Sequence, residues 1–85
     1  MRKQGMAEVF VYIIKSINNN WNYVGFTGDL NSRLREHNSG SVKSTKAYKP
    51  FRLVFAQIVE NRLKARSLEK FLKVRFNKEA LLNLF

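Results

Sequence analysis

The sequence contains no cysteine, one proline and one histidine. The absence of cysteine excludes a disulfide framework and any thiolate zinc or iron–sulfur site, and a single histidine excludes a histidine-rich zinc centre. The longest apolar run, from Val9 to Ile14, is far shorter than the roughly 20 residues that span a bilayer. The N-terminal segment also lacks the long apolar core of a signal peptide. We therefore expect a cytoplasmic protein without membrane contact.

Acidic residues are also scarce, with 6 Asp and Glu against 16 Lys and Arg, and the formal net charge is +10. A chain of 85 residues with 45% hydrophobic content is predicted to fold as one domain rather than to form a disordered basic tail. A strongly basic surface attracts polyanions, and nucleic acid is the most common polyanion inside cells. The charge has three alternative explanations. The protein could be a ribosomal-type binder or a membrane-surface peptide, or the charge could only maintain solubility.

The apolar and turn residues predict a small α/β (α+β) domain in which helices flank a three-stranded, mostly antiparallel sheet. The run from Val9 to Ile14 does not alternate with polar residues, which is typical of a central strand buried on both faces. A turn rich in asparagine follows, and further strands are predicted over residues 21–26 and 51–59. A turn centred near Ile17-Asn18 would bring Tyr12 close to Tyr23.

Helix start and stop signals complete the predicted order β-β-α-β-α-α. Residues 27–29 and 38–40 mark the two ends of the first helix. Asn61 is the predicted cap of a second helix that continues to about Phe76, and residues 78–85 are predicted to form a short terminal helix.

Charged side chains fall on the apolar faces of both long helices. Arg33 and His37 share the i, i+3, i+4, i+7 stripe of Leu30 and Leu34. Glu69 lies within the apolar arc of the second helix, which is formed by Ala65, Leu68, Leu72 and Phe76. A carboxylate near the core needs a cation, a metal or a water-filled cleft. Either Arg33 and Glu69 form an ion pair without chemistry, or these groups line a polar cleft together with Tyr12 and Tyr23.

Several of these residues also form recognisable motifs. The tripeptides Phe10-Val11-Tyr12 and Tyr23-Val24-Gly25 resemble the paired motifs of the GIY-YIG nuclease superfamily. Residues 27–40 resemble its arginine-bearing helix, and residues 65–73 resemble the helix that carries its metal-binding glutamate. The resemblance covers about residues 8 to 76. It extends to the small stand-alone members and to the N-terminal nuclease domain of the bacterial excision-repair endonuclease.

The resemblance implies a Mg²⁺-dependent endonuclease that hydrolyses phosphodiester bonds. It implies a catalytic set of Tyr12, Tyr23, Arg33, His37 and Glu69. Glu69 would hold a single Mg²⁺, with Mn²⁺ as an alternative, and Arg33 would stabilise the scissile phosphate. Tyr12 would orient or deprotonate the attacking water with assistance from His37, and the reverse order of these two residues remains open.

The sequence departs from the family pattern at three places. Phe10 replaces the glycine of the first motif, and Phe26 stands where several relatives carry a lysine. The late asparagine of the family has only Asn77 and Asn83 as candidates here.

The segment from residue 43 to residue 52 is the predicted nucleic-acid-binding surface, although a solvated basic loop is the alternative. It has four cations and no acid, and its candidate contacts are Lys43, Lys46, Tyr48, Lys49 and Arg52. Phosphate contacts carry little sequence information. We therefore expect a DNA endonuclease of the repair or recombination type that selects substrates by structure. The competing hypotheses are a non-catalytic nucleic-acid-binding module and an RNA-directed protein. A partner protein for targeting is compatible with each of them. The sequence leaves the oligomeric state open.

Overall fold

The computed structural model describes residues 8–75, which form an antiparallel sheet and two α-helices in the order β-β-α-β-α. The predicted α+β class is confirmed. The elements are β1 (Val9–Ser16), β2 (Asn22–Thr27), α1 (Leu30–Ser39), β3 (Phe51–Val59) and α2 (Arg62–Lys70), with a short 3₁₀ helix (Lys46–Tyr48) before β3 and a π-helical turn (Phe71–Arg75) after α2. The predicted terminal helix, Phe76, Asn77 and Asn83 lie outside the described residues. Across residues 8–75, no helix has the length and apolarity needed to cross a membrane.

Strand β1 occupies the centre of the sheet, whose order is β2-β1-β3, with antiparallel pairing on both sides. Lys15 pairs with Asn22 across the hairpin, so the turn is centred between Asn18 and Asn19. This centre is one residue later than the position that would place Tyr12 and Tyr23 directly opposite each other. Tyr12 instead faces Gly25, and Tyr23 lies diagonally across from Tyr12.

The two faces of β1 contribute to separate clusters because successive strand residues point to opposite sides. Val11 and Ile13 pack with Ala65 and Leu72 on the α2 side. Tyr12 and Ile14 pack on the other side with partly buried residues that include Leu30 and Leu34 of α1. The unbroken apolar run of β1 follows from this double burial.

Both ends of α1 are fixed by residues that the sequence marks. The Asp29 carboxylate accepts a hydrogen bond from the Ser32 backbone N–H at 3.1 Å, and Gly40 closes the helix in a left-handed conformation with φ of 85°. Asn61 caps α2 in the same way through the Lys64 N–H, at 2.9 Å. These caps confirm the predicted helix starts and set which side chains face the sheet.

Candidate active site

Tyr12 lies at the middle of β1, and its hydroxyl contacts the histidine of α1. The Tyr12 hydroxyl oxygen is 2.8 Å from His37 Nε2, and the His37 Nδ1 is 2.8 Å from Thr45 Oγ1. Tyr12 is 1% exposed, and His37 and Thr45 are fully buried. Thr45 was not among the predicted site residues. No local sequence signal distinguishes it from the serines nearby, because its contact with His37 depends on how the segment folds back onto α1.

Tyr23 completes an aromatic cluster around this hydrogen-bonded row. Its ring centroid lies 6.3 Å from that of Tyr12 and 5.3 Å from that of His37. Gly25, which faces Tyr12 across the hairpin, leaves the space in which the two tyrosines meet. A Cβ atom at this position would lie 2.8 Å from the Tyr12 hydroxyl oxygen and 2.8 Å from a ring carbon of Tyr23. The glycine of the second motif therefore permits close approach of the two tyrosine side chains.

Arg33 borders the Tyr12 hydroxyl from α1. Its guanidinium forms an ion pair with Glu36 at 2.8 Å, and it also interacts with the Tyr12 hydroxyl. The Arg33 side chain is 37% exposed, so this end of the cluster adjoins solvent. The structure thus brings together four of the five predicted catalytic side chains, Tyr12, Tyr23, Arg33 and His37.

Glu69 acts on this cluster through its charge. Its carboxylate pairs with Lys73 at 3.0 Å, and its side chain is 20% exposed. Arg33 and Glu69 have different partners, so the hypothesis of an Arg33–Glu69 ion pair without chemistry is wrong. The Glu69 charge is nevertheless among the effects that raise the pKa of Tyr12.

The donor set around Glu69 fits a lightly coordinated divalent cation. Between residues 8 and 75, no group of three or more His, Cys, Asp or Glu side chains could hold a metal ion. Mg²⁺ commonly binds through one or two carboxylates and fills its remaining positions with water and substrate phosphate oxygens. Glu69 meets this requirement, because its Lys73 partner contacts only one carboxylate oxygen, Oε2.

Burial dominates the electrostatics of the cluster. Desolvation raises the pKa of Tyr12 to about 12, and the interaction with Arg33 opposes this rise. Desolvation also lowers the pKa of His37, and the positive charge of Arg33 lowers it further. His37 is therefore neutral and Tyr12 is protonated at neutral pH in the free protein.

The predicted nucleic-acid-binding residues divide into two surfaces. Lys43, Lys46 and Lys49 are exposed next to the C-terminal end of α1. Tyr48 is half-buried and stacks on Trp21, with ring centroids 4.0 Å apart and planes 10° apart. One face of the Tyr48 ring is thus occupied by Trp21. Trp21 was not among the predicted site residues.

Arg52 lies on a second surface, at the β1–β2 turn. It pairs with Lys15 across β1 and β3. The two cations and the turn residues line an open groove of about 520 Å³ that contains no acidic side chain; its residues are Lys15, Ser16, Ile17, Asn18, Asn19, Asn20 and Arg52.

A family model described as the GIY-YIG catalytic domain matches residues 8–83 of the chain. This match includes the hairpin tyrosines, the α1 residues and Glu69. The chain belongs to the GIY-YIG family. The GIY-YIG superfamily consists of nucleases, so the chain has a nuclease-type fold.

Small stand-alone GIY-YIG proteins are among its relatives. The chain is 37% identical over 65 residues to the UPF0213 protein YazA of Bacillus subtilis, a match that covers 75% of this chain and 65% of YazA, slightly under two thirds. It is 35% identical over 69 residues to a UPF0213 protein of Staphylococcus aureus, covering 80% and 83% of the two chains. These names specify no reaction.

The fold is also similar to a solved GIY-YIG structure. The solution NMR structure of the UPF0213 protein BH0048 from Bacillus halodurans matches with a TM-score of 0.53 and 32% identity, covering 91% of this chain and 84% of that one. The similarity extends over nearly the whole domain.

Phe26, which departs from the GIY-YIG pattern, faces the α2 side of the sheet. Phe26 packs against the core on that side, and the Arg62 guanidinium carbon lies 5.7 Å from the centroid of its ring. A cation on α2 therefore lies beside the residue that stands where several relatives carry lysine.

Proposed function

We propose that this GIY-YIG protein is a Mg²⁺-dependent endonuclease that hydrolyses phosphodiester bonds in DNA and selects its substrate by structure. The observation that carries the proposal is the convergence of Tyr12, Tyr23, Arg33 and His37 on one hydroxyl, with the Glu69 charge acting on the same group. This cluster combines a group that can orient water with a permanent cation, and Glu69, whose charge acts on Tyr12, offers a carboxylate for a metal.

Arg33 supplies the positive charge that stabilises the phosphoryl oxygens. Its planar guanidinium matches two phosphate oxygens and stays protonated throughout a reaction. In the free protein it contacts Glu36, and both side chains are substantially exposed. An exposed ion pair of this kind is weak, so a phosphate can displace Glu36 at little cost.

Tyr12 orients the attacking water, and His37 fixes the position of the Tyr12 hydroxyl. The Tyr12 hydroxyl is fixed by its contact with His37 and by the packing of Tyr23, so a water bound to it has a defined orientation. A divalent cation at Glu69, when bound, supplies charge stabilisation to the phosphoryl oxygens and lowers the pKa of water. This role for Glu69 is consistent with the use of divalent metals by GIY-YIG nucleases.

The two basic surfaces provide contacts to the DNA backbone. Lys43, Lys46 and Lys49 lie on one surface, and Lys15 and Arg52 lie on the other. Contacts from lysine and arginine to phosphates fix the position of a duplex without reading its bases. Selection of branched, flapped or nicked DNA by shape fits this arrangement better than selection by sequence. A cytoplasmic location and a role in repair or recombination stay predictions.

The test is metal-dependent cleavage by matched glutamate variants. Glu69 and Glu60 each form an i, i+4 ion pair with a lysine, at 3.0 and 3.1 Å. We expect Glu69→Gln to abolish the Mg²⁺-dependent nicking of flapped, branched and single-stranded DNA, whereas Glu60→Gln retains it. Equal activity of the two variants would contradict the role of Glu69.

A non-catalytic nucleic-acid-binding module is the second candidate, and the protonation state of Tyr12 favours it. A pKa of about 12 leaves very little phenolate at neutral pH. The two candidates differ in metal binding, which can be measured without turnover. Line broadening of backbone amides by Mn²⁺ is expected around Glu69 but not around Glu60 for a nuclease, and around neither residue for a binding module.

A further inference from the structure

Thr45 connects the short 3₁₀ helix to the catalytic cluster through the only histidine of the chain. Its Oγ1 is 2.8 Å from His37 Nδ1, and His37 Nε2 is 2.8 Å from the Tyr12 oxygen. The three side chains form one hydrogen-bonded row. The direction of donation along this row determines whether His37 accepts a proton from Tyr12 or donates one to it.

The surroundings of Thr45 determine where its hydroxyl proton goes. The Val42 carbonyl oxygen is 3.5 Å away, beyond the usual length of about 2.5–3.0 Å for a hydroxyl hydrogen bond. That oxygen already accepts the backbone N–H groups of Thr45 and Lys46, at 3.1 and 3.0 Å. Both of its lone pairs are therefore in use. The Thr45 hydroxyl donates to His37 Nδ1, which must then be the unprotonated nitrogen of the ring.

The consequence appears at the other end of the row. A neutral His37 with Nδ1 unprotonated carries its proton on Nε2 and donates it to the Tyr12 oxygen. Arg33 has no acceptor atom, so it cannot take the Tyr12 proton either. In this arrangement the Tyr12 hydroxyl proton has no acceptor among the described residues, so this direction of donation requires a water molecule at the edge of the cluster, where the Arg33 side chain is 37% exposed. The reverse direction would leave the proton of Thr45, a fully buried residue, without a good acceptor.

We propose that Thr45 is a positioning residue that fixes the Nε2–H tautomer of His37, so that His37 donates to Tyr12 and Tyr12 is the base for the attacking water. The catalytic part of this proposal rests on the proposed nuclease function. Tyr12 first loses its proton to solvent, and the phenolate is stabilised by donation from His37 and by the positive charge of Arg33. The phenolate then takes a proton from water while the water oxygen bonds to phosphorus. The bond from phosphorus to the leaving oxygen breaks, and that oxygen departs with the bonding electron pair and takes a proton from solvent.

The tautomer can be measured directly because His37 is the only histidine. In a ¹⁵N-histidine-labelled sample of the full chain at neutral pH, we expect long-range ¹H–¹⁵N correlation spectra to show Nε2 protonated and Nδ1 unprotonated. A spectrum with Nδ1 protonated would overturn the proposal. This measurement requires no DNA, metal or turnover, so it separates the tautomer assignment from the nuclease function.

Two substitutions test whether Thr45 is the cause. Thr45→Val keeps the shape but removes the donor, so Tyr12 can donate to Nε2 and the Nδ1–H tautomer becomes populated. Thr45→Ser restores a donor and should retain the wild-type spectrum. An unchanged tautomer in Thr45→Val would overturn the proposal, and so would a Thr45→Ser protein that behaves like Thr45→Val.

Cleavage kinetics supply the functional readout. We expect Thr45→Val to lower kcat by roughly 10- to 100-fold, as expected for loss of an orienting hydrogen bond, with little change in KM and recovery in Thr45→Ser. If the spectra agree but the wild-type protein cuts no DNA, the nuclease function fails while the tautomer assignment stands. If the wild-type protein cuts DNA and Thr45→Val cuts it equally well, the positioning role fails.

Discussion

Gly25 shows how the absence of a side chain shapes the site. It lies opposite Tyr12 in the register of the hairpin, in the space between the Tyr12 hydroxyl and the Tyr23 ring. Both tyrosines are held by other neighbours, Tyr12 by His37 and Tyr23 by the stacked Trp21. Neither ring can move away without separating from one of these partners.

We expect Gly25→Ala to displace the Tyr12 hydroxyl from His37, because the added carbon would lie 2.8 Å from that oxygen. DNA cleavage should fall by about 10²-fold or more, on the scale of losing one oriented group in an active site. The cleavage rate under single-turnover conditions tests this, with Gly28→Ala as the control, since a Cβ there would lie 4.0 Å from the Glu8 carbonyl oxygen, an ordinary van der Waals distance. Full activity of Gly25→Ala would refute the close-packing argument.

His37 should make stability depend on pH. Burial holds the pKa of His37 below its ordinary value of 6.5. As the pH falls below 6.5, the unfolded chain therefore binds a proton at His37 before the folded protein does. The stabilisation is complete above pH 6.5 and decreases as the pH falls through the lowered pKa of the folded state. The charged and titratable groups around the ring are Arg33, Glu36, Tyr12 and Tyr23.

Urea unfolding of the wild type and of His37→Gln between pH 7.5 and pH 5 measures this contribution. The free energy of unfolding of the wild type should decrease more steeply toward low pH than that of the variant. Parallel pH dependences would show that His37 is not held neutral by the fold.

Helix α1 matters because one element carries both Arg33 and His37. Its start and end determine the rotation of the helix, and hence whether these side chains face the Tyr12 hydroxyl. Gly40 closes the helix with φ of 85°, and its N–H reaches the carbonyl oxygens of Glu36 and His37. The segment after Gly40 then folds back, so that Lys49 lies beside Gly40 and Thr45 reaches His37.

We expect Gly40→Ala to lower the free energy of unfolding by about 1–2 kcal/mol, the cost of a left-handed conformation for a residue with a Cβ. The added Cβ would also lie 3.0 Å from Lys49 Cε, whose flexible side chain can move aside. Urea denaturation checks this, again with Gly28→Ala as the control. Equal stability of the two variants would show that the helix end is not fixed by this conformation.

Local signals were sufficient to predict most elements. The β-branched run indicated β1, the caps Asp29 and Asn61 indicated the helix starts, and β3 has the predicted bounds of residues 51–59. The turn was predicted one residue early, because consecutive asparagines tolerate several turn positions equally. Thr45 and Trp21 were not predicted, since neither residue carries a periodic signal. Thr45 reaches His37 only because the segment after Gly40 folds back, and Trp21 stacks on Tyr48, which belongs to a different segment.

At the scale of the whole molecule, the charge of +10 is distributed over surfaces that differ in their role. Arg33 is paired with Glu36 and lies beside the Tyr12 cluster. Lys64 and Lys73 on the α2 side are paired with glutamates. Lys15 and Arg52 have no ion-pair partner among the described residues, and as cross-strand neighbours of like charge they repel each other. A phosphate placed between them would relieve that repulsion.

We expect the double variant Lys15→Ala/Arg52→Ala to bind duplex DNA more weakly and with less salt dependence. The log–log slope of affinity against salt concentration should decrease by about 0.9 for each phosphate that the variant no longer neutralises. Fluorescence anisotropy over a salt series measures the slope, and Lys64→Ala is the control because Lys64 is paired with Glu60. A slope equal to that of the wild type would place the DNA away from the groove.

Trp21 has a further use because it is the only tryptophan in the chain. It belongs to the hairpin, whereas the Tyr48 ring stacked 4.0 Å from it belongs to the basic segment. Its emission therefore reports the separation of these two parts without any attached dye. Titration with uncleavable DNA would show whether the segment of residues 43–49 keeps its position against Trp21 on binding or moves away from it. The protein can thus report a conformational change with its own chromophore.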